Sequence, residues 1–339
     1  MYTFTVFPNL IVKGNPYIQD FIDALNRQER IKVVNPAHKN PLLSILPPKH
    51  WGDAFIFNWF ESIPDFKYGL LQSVIAIFFL IIIKLSGQKV IWILHNKQPH
   101  VQRYGILKRF MAKLIAKNAD LIITHAKDGI ELVREKHPYA IDKVHFLHHP
   151  TKNRLDYLKH HSPEKTYDVL IWGAIAKYKG VTEFIDYLHK HPEEKMNVCV
   201  MGKCASTDLY DELTRTLPPN VTLIHERASF EKLADYISRS HFVLMPYFSR
   251  SILSSGILMD SLSFGAKIIG PHTGSFKDYS CEPLVKVHTF KEFSDIYPIV
   301  ESEREAPISL EKYHQFLEAN NWEAFAKSLI HLSKIKHHA

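Results

Sequence analysis

The chain reads as an α/β protein built from two parallel-sheet domains. Three observations predict this. Short apolar runs alternate with amphipathic segments along the whole length, the pattern of strands each followed by a helix. The alternation runs twice, interrupted by a polar stretch rich in Lys, His and Pro, Pro150–Lys165. At 339 residues the chain has the length of two ordinary domains.

The elements are expected in this order. Tyr2–Phe7 is a strand, Tyr17–Arg27 a helix, and Ile31–Val34 and Ala54–Asn58 are strands. Phe66–Leu85 follows as a long apolar helix, then strand Val90–Leu94 and helix Tyr104–Lys117. Strand Leu121–Thr124, helix Asp128–Lys136 and strand Val144–Leu147 close the first series. The apolar run Gly69–Ile83 contains Gln72 and Ser73 and is shorter than the ~20 residues that cross a bilayer, so a helix buried between sheet and neighbours is expected. The second series opens with strand Asp168–Trp172, helix Val181–Leu188, strand Met196–Met201 and helix Leu209–Thr216. Strand Val221–Ile224, helix Phe230–Ser238, strand Phe242–Met245, helix Ile257–Phe264 and strand Lys267–Ile269 come next. A strand at Leu284–Val287 and helices around Phe290–Ile296 and Leu310–Leu332 complete it. There are no short repeats and no low-complexity tracts.

Composition narrows the class. Hydrophobic residues at 46% and charged residues at 23% are ordinary for a soluble globular protein. The three cysteines, Cys199, Cys204 and Cys281, are odd in number and fit neither a zinc site nor a redox pair, which suits a reducing compartment. Met1–Leu10 reads directly as a strand rather than a secretory signal. The expected location is cytoplasmic, with a peripheral place on the inner face of the cytoplasmic membrane open to it. The net charge of +7 suits a phosphorylated ligand or an anionic lipid surface. Nucleic acid is not expected as a partner, because no helix-turn-helix, zinc-finger or RNA-binding signature is present. Nor do the 21 histidines fall in a metal-ligand spacing, so no metal is expected. No G-x-G-x-x-G follows any strand, which argues against a nicotinamide dehydrogenase.

Two loops carry the chemistry. After strand Phe242–Met245, Pro246 ends the strand and Ser254, Ser255 and Gly256 open a helix. Such a helix start offers unpaired N–H groups and the positive end of a dipole, a site for a diphosphate. Asp260, one turn further in, can reach a ribose hydroxyl. The second loop is Leu170–Gly180, where Gly173 ends a strand and Lys179 precedes Gly180 at a helix start. Glycine lets the backbone approach a phosphate, and the Lys179 ammonium supplies a point charge.

These motifs resemble a known family. The order G-x-I-x-x-Y-K-G, a strand ending in Pro-Tyr, then S-S-G-I-L-M-D-S-L-S-F-G is similar to the donor lobe of GT-B glycosyltransferases of the family-4 type, the "group 1" enzymes of bacterial polysaccharide synthesis. Trp92–His100 (WILHNKQPH) resembles a strand end in the first lobe of those enzymes, and the segment from Gly14 to Tyr17 resembles their first βα loop. The resemblance spans nearly the whole chain. It implies two Rossmann-like domains facing each other across a cleft, with the C-terminal helix crossing back to the first. The implied bounds are 1–150 for the acceptor domain, 151–165 for the linker, 166–310 for the nucleotide-sugar domain and 311–339 for the returning helix.

Residue by residue, the resemblance implies that Lys179 neutralises the donor diphosphate and that Gly14, Gly173, Ser254, Ser255 and Gly256 approach it. Asp260 stands where the second glutamate of the family's E-x7-E motif bonds the ribose. The first glutamate falls at Ile252, and Ala174 replaces an arginine often found there, leaving the phosphate charge to Lys179, with Lys177 or Arg250 as helpers. His95 matches a histidine that meets the transferred sugar or its phosphate, as an imidazole able to donate to developing charge. Asn96 and His100 are further candidates in that stretch. Arg227, with His225 and Glu226, follows a strand where the nucleotide base is contacted. For an acceptor base the candidates are Asp53, Glu61 and Asp65, each equally readable as a solvated or capping residue. A basic apolar helix at Tyr104–Lys117 implies an anionic membrane surface as a partner.

The expected function is transfer of a sugar from a nucleotide diphosphate, the donor substrate, to a glycan or lipid-linked acceptor in surface polysaccharide synthesis. No separate cofactor and no metal are implied, since helix dipole and lysine can supply the positive charge. Two rivals stay open: a nucleotide-sugar epimerase, and a catalytically silent binder or scaffold of a membrane glycan assembly.

Overall fold

The computed structural model describes residues 1–10, 16–97, 103–160, 164–215, 217–247 and 252–334. The chain divides into two compact units, Met1–Pro150 with Asn320–Ala339, and Thr151–Ala319.

The first unit runs β1 (Tyr2–Phe7), α1 (Tyr17–Asn26), β2 (Ile31–Val33), α2 (Pro41–Ile45), β3 (Ala54–Asn58), α3 (Gly69–Leu85), β4 (Lys89–Leu94), α4 (Gly105–Asn118), β5 (Leu121–Thr124), α5 (Lys127–Lys136) and β6 (Val144–Phe146). Its strands form one parallel sheet in the order β2-β1-β3-β4-β5-β6. A parallel sheet must be covered on both faces, which is why β3 and β4 read as unbroken apolar runs. Alternation decides which side each residue serves. Phe4, Val6, Ile56, Ile91 and Ile93 pack under the stripe Phe21, Ile22 and Leu25 of α1. Phe55, Phe57 and Trp92 turn to the opposite face, where Phe55 meets Phe79 of α3 edge-on at 5.6 Å.

The second unit runs β7 (Tyr167–Trp172), α6 (Val181–Lys190), β8 (Val198–Met201), α7 (Thr207–Arg215), β9 (Val221–Ile224), α8 (Phe230–Ser238), β10 (Ser240–Leu244), α9 (Gly256–Ser263), β11 (Ile268–Pro271), α10 (Gly274–Ser280), β12 (Val287–Phe290), α11 (Ile296–Glu303) and α12 (Leu310–Ala319). Its sheet is again parallel, in the order β12-β11-β10-β7-β8-β9. One face is covered by the cluster holding Leu233, Leu258, Leu262 and Phe316, the other by the cluster holding Phe184, Ile185, Leu209 and Ile296. A last helix, α13 (Trp322–Lys334), belongs to the first unit, where Phe325 meets Phe21 of α1 at 5.4 Å.

Several boundaries differ from the sequence expectation. The final helix is two helices: Asn321 accepts from Ala324 N at 2.8 Å and so caps a fresh start at α13. Only that second helix lies in the first unit, whereas α12 stays in the second through buried Tyr313, whose hydroxyl donates to Ala266 O at 2.9 Å. The polar stretch at 151–165 is not a free linker. Its Leu155–His160 forms a 3-10 turn, and Arg154 N donates to Ser263 O at 3.0 Å inside the second unit. α10 was not anticipated, because its seven residues begin with Gly and Ser and contain too few apolar residues to show a period. β12 and α11 both lie a few residues later than expected, since Tyr313 takes the N–H of Lys286 at 2.9 Å just before the ladder begins. α3 is not sandwiched: Leu70, Leu71, Val74, Phe78, Ile82 and Leu85 are exposed along one side. No helix among the described residues is long and apolar enough to cross a membrane.

Candidate functional site

In an open parallel sheet, ligands bind outside the carboxyl ends of the strands where the strand order reverses. In the second unit that point lies between β7 and β10, because β8 and β9 build outward on one side of β7 and β10 to β12 on the other. Both loops singled out from the sequence sit there. β7 is followed at once by Gly173, which holds φ +101°, a region that L side chains rarely adopt, and Gly173 N donates to Met201 O at 3.0 Å. A Cβ at Gly173 would stand 2.6 Å from Ile257 Cδ1 in the first turn of α9 and 3.7 Å from Lys179 Nζ. At Gly180 the backbone passes so close to Pro246 O that a Cβ would be 1.9 Å away. Glycine therefore lets the β7 loop close directly onto the end of β10 and the start of α9.

The Lys179 ammonium lies 5.9 Å from the ring centre of Tyr247. Burial lowers its pKa to about 8. At the head of α9, Ser255 is the N-cap, its hydroxyl accepting from Leu258 N at 3.3 Å. The amides of Gly256 and Ile257 lead the helix, and a Cβ at Gly256 would meet nothing within 4 Å. Ser254 Oγ is buried and has no hydrogen-bond partner among the described residues. The Lys179 ammonium and the first turn of α9 thus both border the space beside Gly173, a cation and a helix start of the kind that suits an anion.

Asp260, one turn into α9, is held by a residue that the sequence reading missed. Arg154 Nη1 donates to Asp260 Oδ1 at 3.0 Å and to Ser263 Oγ at 2.9 Å. The guanidinium is itself buried over the rings of Phe230 at 4.5 Å and Phe264 at 5.8 Å. Sequence alone hid this arginine inside a polar stretch; its partners are 106 and 109 residues away. Ile252, at the position of the family's first glutamate, is turned into the core beside Leu258 and Phe276. Arg227 is exposed after β9, the edge strand two places from β7, so it lies off the switch point. Of its neighbours, His225 stacks on Tyr210 and Glu226 pairs with Lys232 at 2.5 Å. Gly14, His100 and Arg250 lie outside the described residues.

The first unit contributes a group of three histidines at its own sheet's carboxyl edge. His95 follows β4, His125 follows β5 and His149 lies just beyond β6. Tyr17, on α1, sits among them at ring distances of 5.2, 6.2 and 5.3 Å respectively. Their hydrogen bonds fix the tautomers. Asn58 Nδ2 donates to Phe7 O at 3.1 Å, so its Oδ1, 2.9 Å from His95 Nε2, accepts a proton from that ring. His125 donates from Nδ1 to Leu147 O at 3.0 Å and accepts from the Tyr17 hydroxyl at Nε2, also 3.0 Å. His149 donates from Nδ1 to Pro150 O at 2.9 Å. Burial pushes all three pKa values down, that of His125 to about 3, that of His149 to about 4 and that of His95 well below the ordinary value. All three are neutral at pH 7. Neutral His95 keeps its lone pair on Nδ1, so it offers an acceptor there. The sequence reading had it as a donor. Trp59, at φ +51°, stacks its ring on His95 at 4.3 Å, strain of about 1 kcal/mol that fixes the imidazole plane.

The three carboxylates proposed as acceptor bases separate. Asp53 accepts from Thr3 N and Thr3 Oγ1, both at 2.7 Å, and ties β1 to β3. Asp65 pairs with buried Lys108 at 2.5 Å. Glu61 is buried, and desolvation raises its pKa to about 7. Among the described residues no group of three or more His, Cys, Asp or Glu is arranged to hold a metal ion.

No family model matches the chain, and a search of curated proteins found no match in sequence. Solved structures do match over the full length. HepE from Anabaena, solved with UDP, aligns with a TM-score of 0.63 at 13% identity, covering 98% of each chain. Sucrose-phosphate synthase from Thermosynechococcus elongatus aligns at 0.68 and 11% identity, again over 98% of each. The lipopolysaccharide outer core galactosyltransferase WaaB aligns at 0.63 and 13% identity, over 99% of this chain and 100% of its own. At such identity the likeness is one of architecture, and the architecture is GT-B.

Proposed function

We propose that the chain is a glycosyltransferase that takes a sugar from a nucleotide diphosphate, UDP first among the candidates, and passes it to a glycan or lipid-linked acceptor. The observation that carries this reading is the meeting of Gly173, Lys179 and the first turn of α9 at the switch point of the second sheet, with Ser254 just ahead of that turn. A diphosphate there would take the Lys179 ammonium, the Ser254 hydroxyl and the α9 amides as donors. Asp260, oriented by Arg154, would accept from a ribose hydroxyl. The neighbour HepE was solved with UDP-glucose as well as UDP, which motivates the choice of uridine. Neutral His95 would accept from a sugar hydroxyl at Nδ1, held in place by Asn58 and Trp59. The motif order G-x-I-x-x-Y-K-G then S-S-G supports a place near family 4.

The acceptor would be met at a membrane. α3 packs against α4, which exposes Ile106 and Phe110 together with Arg109, Lys113 and Lys117. Apolar residues flanked by cations fit an anionic bilayer surface, to which each basic residue adds about 1 kcal/mol. Flotation with vesicles of anionic and of zwitterionic lipid tests this. Binding to the anionic vesicles alone, lost in Phe78→Glu, is the expected result; equal recovery of both proteins would refute it.

Ile252 in the core and Ala174 at the surface favour a second reading, a nucleotide-sugar binder without activity. Thermal-shift binding against UDP, GDP, TDP and ADP, with Lys179→Ala alongside, tests the donor site common to both. Stabilisation by one diphosphate, lost in the variant, supports it. No response from a folded chain would sink both.

A further inference from the structure

The first unit contains a cavity of about 680 Å³ that lies apart from the histidine group. It lies between β4, α4 and α5, and its volume is that of a small-molecule site. Trp92, Leu94, Leu132 and Val133 form an apolar wall. Asn96 and Lys97, at the carboxyl end of β4, mark one end of it.

Two features separate it from a packing defect. The first is its floor. Glu61 Oε2 and Trp92 Nε1 are both buried and neither has a hydrogen-bond partner among the described residues. The indole N–H lies toward the Glu61 carboxylate and lowers its pKa in the manner of a hydrogen-bond donor, but the contact is too long or too bent to satisfy either atom. Leaving such groups unmatched is costly, and one hydroxyl group would answer both, accepting from Nε1–H and donating to Oε2. The second is its rim. Lys97 pairs with Asp128 at 2.6 Å and Lys108 with Asp65 at 2.5 Å, whereas Arg109, Lys113 and Lys136 make no ion pair among the described residues. Three cations without an ion pair among the described residues thus line the same cavity as an apolar wall and two unsatisfied polar atoms.

We infer that this cavity binds a sugar phosphate, its hydroxyl seated between Glu61 and Trp92 and its phosphate on Arg109, Lys113 and Lys136. The phosphate is either a free phosphomonoester or the phosphodiester of a lipid-linked glycan; both present the same chemistry. The site stands independently of the transferase reading, since a silent binder could carry it equally.

Isothermal titration of the full chain with glucose 1-phosphate and with the octyl phosphodiester of glucose tests it, with inorganic phosphate and glucose as controls. One of the two sugar phosphates should bind, and bind better than either control. Tighter binding of the monoester identifies a free metabolite, and tighter binding of the diester a lipid-linked one. Ala112→Trp, which fills the cavity, should abolish binding. Trp92→Phe should weaken the sugar phosphate about tenfold and leave inorganic phosphate unchanged. Should Ala112→Trp fail to fold, the double variant Arg109→Ser, Lys113→Ser replaces it, with at least about tenfold weakening expected. Failure of both sugar phosphates to bind, binding undiminished in the filled or double variant, or equal affinity for inorganic phosphate would each overturn the assignment. UDP binding at the second unit should be the same in every variant, which separates this outcome from failure of the donor site.

Discussion

Replacing Lys179 by Met should weaken UDP binding while making the empty protein more stable. A charge-assisted hydrogen bond to phosphate contributes about 1.5–3 kcal/mol, so the dissociation constant should rise between about tenfold and 150-fold. The stability change has the opposite sign. Burial lowers the Lys179 pKa from 10.5 to about 8. Between those values the folded chain binds fewer protons than the unfolded one, so stability rises with pH from about 8 to 10.5. Below pH 8 the buried ammonium is a standing cost, with a ceiling of about 3 kcal/mol, reduced by whatever solvent reaches it. Methionine keeps the stem and removes that cost. Diphosphate binding must also restore the ammonium, so at pH 9 the wild type should take up close to one proton on binding UDP and at pH 7 almost none. Calorimetry in buffers of different ionisation enthalpy reads the proton directly, and thermal melting reads the stability. A Lys179→Met protein that binds UDP as well as wild type, or binds it with the same proton uptake at pH 9, would refute the placement of this lysine on the diphosphate.

The buried histidines set an acid limit on the first unit. Their folded pKa values lie below the unfolded value of 6.5, so the stability they permit is complete above pH 6.5 and is lost as pH falls toward about 3. His125→Phe should flatten the fall in melting temperature between pH 6.5 and 4; an unchanged slope would show that the ring is not buried neutral. Arg154→Ala removes the clamp on Asp260 and the packing over Phe230 and Phe264. A loss of about 2 kcal/mol is expected by urea unfolding, discounted because Asp260 is partly exposed, together with weaker UDP binding. Gly173→Ala meets both a left-handed φ and Ile257, and should lose about 1–3 kcal/mol and most UDP affinity. An Ala variant that melts and binds like wild type would contradict the loop geometry.

What the sequence could say about this fold follows from the range of each signal. Apolar runs and glycines act locally, so β3, β4 and the Gly173–Gly180 loop were legible from their own residues. Arg154 was not, since its partners lie more than a hundred residues on and a polar neighbourhood gives no hint of burial. The same is true of the histidine group. His95 stood out through its motif, but His125 and His149 come from different strand ends, and only strand order brings the three rings together around Tyr17. Helix α3 misled for the opposite reason: an apolar run reports a wish to leave water without saying what covers it, and here one side is left open.

The two units therefore answer different questions. Everything at the Lys179 cradle speaks to binding a diphosphate, and a silent binder would keep all of it. Catalysis must be decided in the first unit, where a neutral His95 is held by Asn58 on one nitrogen and stacked by Trp59. On the transferase reading, the oriented acceptor lone pair of His95 would serve the transferred sugar, and on the binder reading it need not. His95→Gln in a protein that still binds UDP is accordingly the decisive variant. If transfer is the function, turnover should drop by about a hundredfold or more with UDP affinity intact. If the variant turns over as well as the wild type, the histidine group is packing.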